Sequence, residues 1–149
     1  MDALIAELSK PEYSELSDQQ AADAINAMTV QTRQLVQCSE IIRHATIYGY
    51  RHKLTKAASN DAHPCQGLAI DILAYIDSSK TQSVDMDLPE TKGMLAAMVQ
   101  CGFASQAVVN SLDALATVTI KWTESVGLPE VGIGLVQNAR KQIGATFNA

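Results

Sequence analysis

Histidine and cysteine are the side chains in this sequence best suited to metal or nucleophile chemistry, and their spacing decides what they can do. His44, Tyr48 and His52 share one face if a helix runs unbroken through Gly49, with Cys38 a short way upstream. His63-Pro64-Cys65 adds two more potential donors. Zinc sites are built on tight local pairs such as Cys-x-x-Cys or His-x-x-x-His. His44 and His52 stand eight positions apart with a glycine between them, so no metal site is expected. Cys65 or Cys101 beside a histidine would make a nucleophile and base, but neither carries a flanking thiol-enzyme signature. Val131-Gly132-Ile133-Gly134 lacks the preceding strand, further glycine and lysine of a phosphate cradle. The sequence thus predicts a non-enzyme with no catalytic residues, no cofactor and no metal.

Charge is the next feature with chemical meaning. Arg43, His44, Arg51, His52, Lys53 and Lys56 form a basic cluster with no acid between Ile41 and Asn60. Residues 1–25 carry Asp2, Glu7, Glu12, Glu15, Asp18 and Asp23 against Lys10 alone. These blocks read either as solvated helix faces or as complementary patches that join neighbouring copies, because opposed charge orients and speeds encounter. The candidate interface residues are Arg43, Arg51, Lys53 and Lys56 on the basic side and Glu12, Glu15 and Asp18 on the acidic side. Trp122, the sole tryptophan, reads as a core anchor or an interface hot spot. The net charge of −5 argues against a general nucleic-acid binder, which needs clustered cations for phosphate neutralisation.

The 149 residues predict one helical domain over 1–149, large enough to bury a core. Aromatics make up only 5%, so that core must be aliphatic and rich in Met and Ala. No apolar run is long enough to span a bilayer, and residues 1–10 lack a signal-peptide pattern. The three cysteines are odd in number and read as reduced, buried thiols.

These residues are positioned by a chain punctuated as a series of short helices, and the fold class expected is all-α, a compact array of about seven or eight. Ser17 with Gln20 and Asp87 with Glu90 read as capping boxes, and Ser105 as a further N-cap. Gly102 and Gly127 read as helix stops. Hydrophobic periodicity predicts helices over 2–9, 18–28, from Ser39 through Tyr48, and over 50–58 and 63–78. Residues 78–87 read as a polar loop. A helical hairpin is expected at about 88–117, then a brief helix from Thr119 through Trp122 to Val126, and a last one over 132–144. Residues 29–37 lose the helical period and read as extended, either a short strand or an arm, with another subunit as a candidate pairing partner. The hairpin is not a DNA-reading helix-turn-helix, because residues 103–120 hold no Lys or Arg and include Asp113.

Two stretches resemble small proteins of tailed bacteriophages. Lys10 to Ala27 is similar to their opening pattern Y-x-x-L/M-S/T-D-x-x-A-A-x-x-L/I-N, here carried by Tyr13, Leu16, Ser17, Asp18, Ala21, Ala22, Ile25 and Asn26. Glu124 to Arg140 is similar to their ending, E-x-x-G-L through V-x-x-G-x-V-x-x-A-R. The resemblance spans about a third of the chain and brings no catalytic residues. It implies a helical virion or virion-assembly protein, repeated around a symmetric particle in the neck, tail or ejection apparatus. The expectation is therefore a homo-oligomer bound to other virion proteins, made in the host cytoplasm and located in the virion. The alternative is a soluble phage-encoded adaptor or inhibitor of a host protein. A small enzyme or metal-dependent regulator using His44 or Cys65 is the third.

Overall fold

A computed structural model of the chain describes residues 1–77 and 82–148. Its helices are α1 (Asp2–Leu8), α2 (Asp18–Ala27), α3 (Cys38–Ile47), α4 (Tyr50–Ala58), α5 (Gln66–Asp77), α6 (Pro89–Gln100), α7 (Gln106–Ala114), α8 (Trp122–Ser125) and α9 (Ile133–Phe147). Its strands are β1 (Thr29–Arg33), β2 (Val36–Gln37), β3 (Ser83–Val84) and β4 (Thr117–Lys121). Helix covers 63% of the described residues, but the fold is not strictly all-α, and nine helices rather than seven or eight are described. Strands form where β-branched residues crowd, in TVQTR and TVTIK, because such side chains pack better on a pleated ribbon than against a helical turn. Strand β4 occupies the start of the helix expected from Thr119, which shrinks to α8. The expected loop over 78–87 contains β3, and residues 78–81, with the last position of the expected 63–78 helix, lie outside the described residues.

Contacts gather the chain into two compact units: Met1–Thr32 with Thr119–Ala149, and Arg33–Val118. The chain crosses from the first to the second within β1 and returns within β4, and these strands pair with each other. The extended 29–37 segment finds strand partners inside its own chain, β1 on β4 and β2 on β3.

The first unit packs α1 and α2 against α9. Leu4, Leu8 and Ile25 meet Val131 and Val136, while Ala21, Ala22 and Ala139 let the helices approach closely. Burying each large aliphatic side chain contributes roughly 1.5–3 kcal/mol. The Ser17 box forms in full: Ser17 Oγ accepts from Gln20 N–H at 3.2 Å, and Gln20 Oε1 accepts from Ser17 N–H at 3.0 Å. Arg140 crosses from α9 to the start of α2. It donates to Asp18 at 2.7 Å and to the carbonyls of Tyr13 and Leu16 at 2.9 and 2.7 Å. Asn26 holds Val131 through both amide atoms, each at 2.8 Å.

The second unit centres on Leu54, Ala69, Ile72, Met86, Met98 and Leu112. Strand β2 runs antiparallel to β3 with Val36 opposite Val84. Gly49, at φ 77°, takes the left-handed conformation that turns the chain between α3 and α4. Gly102, at φ 73°, ends α6 with the Phe103 N–H on the Met98 carbonyl and its own on Val99, as the 102 stop predicts. The expected Asp87 box does not form. The N-cap of α6 is Leu88, without a side-chain bond, because the Asp87 carboxylate is held by Arg33 at 2.9 Å. Finally, Cys65 and Cys101 are joined by a disulfide across 6.2 Å of Cα separation, and only Cys38 is a free, buried thiol. The expectation of three reduced thiols is corrected accordingly.

Candidate functional site

The basic cluster is contiguous in sequence but not in space, because Gly49 breaks the helix and the helical period then divides the cations. Arg51 pairs with Asp77 on α5 at 3.1 Å. Arg43 lies on α3 at a shallow depression shared with Glu40, His44, Ile47 and Leu115. Lys53 and Lys56 line a separate open groove of about 690 Å³.

That groove runs between α4 with its following turn and the turn joining α6 to α7. His52, Lys53, Thr55, Lys56, Ser59, Asn60 and His63 line it on one side and Cys101, Gly102 and Phe103 on the other. The Cys65–Cys101 bridge ties the turn after α4 to the end of α6. His63 stacks on Phe103 with ring centroids 5.6 Å apart and planes 18° from parallel. The Cys65 N–H donates to His63 Nδ1 at 3.0 Å, so the neutral ring carries its hydrogen on Nε2. Sequence reasoning found the lysines but not His63, Asn60 or Phe103 as their neighbours. The disulfide that assembles them leaves no mark in cysteine spacing.

A second surface lies at the α3–α4 corner, where Ile47 is 68% and Tyr48 is 52% exposed. These adjacent large apolar side chains lie open to water, with Ile47 beside Arg43 and Glu40. The helical stripe of α3 turns its opposite face, Ile41 and Ala45, into the core.

His44 is buried and works as a structural relay. The Tyr50 hydroxyl donates to its Nδ1 and its Nε2–H donates to Ser111 Oγ, both at 2.8 Å, while Ser111 donates onward to the Val108 carbonyl at 2.8 Å. That direction is fixed because the serine hydrogen is already committed to a carbonyl. Burial holds the His44 pKa below its ordinary value and pushes the Tyr50 phenol up. Tyr48 and His52 lie beyond this chain of bonds.

On the acidic side, Asp18 is occupied by Arg140, whereas Glu12 and Glu15 are exposed. Glu7 is buried and accepts from Lys10 at 2.6 Å and from the Tyr13 hydroxyl at 3.0 Å. Burial and then that bond push the Tyr13 phenol up to about 12. Trp122 is half-buried against the first unit's core, an anchor position.

Arg33 forms the densest ionic node, donating to Asp87 at 2.9 Å, Asp113 at 2.7 Å and Thr117 at 3.0 Å. Its guanidinium holds the Asp87 carboxyl below the usual range. Within the second unit this node ties Arg33 to the turn before α6, the end of α7 and Thr117. Among the described residues no group of three His, Cys, Asp or Glu side chains is placed to hold a metal ion. The Cys38 thiol is pushed up by burial, which makes it a poor nucleophile. No helix described is long and apolar enough to cross a membrane. No protein-family model, curated protein or solved structure matches the chain.

Proposed function

We propose that this chain is a non-enzymatic bacteriophage structural or assembly protein. It acts as a neck, tail or ejection component, through helix-face contacts in a homo-oligomer and with other virion proteins. The observation that carries the reading is the Ile47–Tyr48 corner beside Arg43 and Glu40, an exposed apolar surface whose Arg43 would be complemented by Glu12 or Glu15 of another copy. The phage assignment is supported by the two stretches that resemble tailed-phage proteins. Their residues meet in one unit, with Arg140 bonded to Asp18, Tyr13 and Leu16 and with Asn26 bonded to Val131. A particle outside the cell also meets oxidising conditions, under which a bridge such as Cys65–Cys101 persists.

The test combines mass spectrometry of purified particles with light scattering of the isolated protein. The chain is expected in the particles, and association in solution is expected to be lost on Ile47→Asp while helicity is retained. A chain absent from particles and monomeric at high concentration refutes the proposal.

A further inference from the structure

We propose that the groove between α4 and the α6–α7 turn binds a sugar phosphate, an assignment independent of the oligomeric role above. No acidic side chain lines this groove, although the chain carries a net charge of −5. Lys53 and Lys56 supply two positive charges, matching a phosphate monoester's charge of about −2 near neutral pH. The remaining polar groups are sorted by what their other bonds leave available. His63 has Nδ1 occupied by the Cys65 N–H and offers an Nε2–H donor. Asn60 has Oδ1 occupied by the Ala62 N–H and offers its amide N–H pair. Thr55 and Ser59 commit their hydroxyl hydrogens to the Arg51 and Thr55 carbonyls at 2.9 and 3.1 Å, so their oxygens can only accept. Donors suit phosphate oxygens, and acceptors suit the hydroxyls of a sugar.

Size and isolation favour a small molecule over a polymer. About 690 Å³ lies within the roughly 300–1,000 Å³ range of small-molecule sites. Among the described residues positive charge does not continue into a track, because Arg51 is paired with Asp77 and Arg43 lies at a different depression. A nucleic-acid strand or an acidic peptide needs such a track.

Calorimetric titration of the full chain with adenosine monophosphate, adenosine, inorganic phosphate, hexaglutamate and a short oligothymidylate separates the sources. Adenosine monophosphate is expected to bind tightest, with adenosine about tenfold or more weaker because it lacks the phosphate. The exposed pair K53A/K56A is expected to lower that affinity about tenfold or more with an unchanged far-ultraviolet spectrum. Lys92→Ala, at a different depression, leaves it unchanged. Absence of adenosine monophosphate binding at millimolar concentration overturns the assignment. So does an affinity indifferent to K53A/K56A, or tighter binding of hexaglutamate or the oligonucleotide.

Discussion

Replacing both bridged cysteines with alanine, C65A/C101A, isolates the largest single covalent constraint on the second unit. The bridge spans a sequence separation of 36. Closing a loop of that length in the unfolded chain removes about 13 cal/mol/K of entropy, or about 3.8 kcal/mol at 25 °C. Both cysteines are only partly buried, so the alanines remove little packing and the entropic term should dominate. Equilibrium urea unfolding should therefore show a loss of roughly 3–4 kcal/mol, and the native protein treated with dithiothreitol should lose a similar amount. Hydrogen exchange should localise the loss to α3–α7, with α1, α2 and α9 less affected. Thiol titration in denaturant should find one reactive group before reduction, Cys38, and three after it. Equal stability of C65A/C101A and the parent, or three thiols without reduction, would refute the reasoning.

Two further outcomes follow from the polar networks. The His44 pKa is held below its unfolded value by burial, so its contribution is complete above about pH 6.5 and declines as pH falls through the lower folded value. His44→Gln should cost about 1–3 kcal/mol at pH 7.5 and flatten the acid side of a stability profile read by thermal unfolding. A parallel profile with the same slope would remove His44 as its source. Arg140→Ala should destabilise the first unit by about 2 kcal/mol, through loss of the Asp18 pair and two carbonyl bonds. Arg140→Lys should restore less than half of that, because a single ammonium does not reproduce the guanidinium fork. Trp122 fluorescence during urea unfolding reads both.

Local chemistry was legible in the sequence and distant chemistry was not. Ser17, Ser105, Gly102 and Gly127 act on backbone groups a few residues away, so their spacing alone carries the signal. The Asp87 box had the same spacing but failed, because Arg33 lies 54 positions away and takes the carboxylate. Thr117–Lys121 alternates with β-branched residues, a strand signal present in the sequence and overridden by the cap-like Thr119. The basic cluster forms one patch only where a helix runs unbroken through Gly49. Its left-handed conformation separates Arg43 from Lys53 and Lys56. Cys65–Cys101 and the His63–Phe103 stack join segments whose proximity no local pattern encodes.

The first unit joins Met1–Thr32 to Thr119–Ala149, two segments separated in sequence by the whole second unit, and this bears on synthesis. A ribosome releases the apolar stripe of Leu4, Leu8 and Ile25 long before Val136 and Ala139 exist to cover it. At about 5–20 residues per second the wait is roughly 5–20 s. Throughout that interval the nascent amino-terminal helices have no native partner from α9. They are the segment on which a chaperone would act.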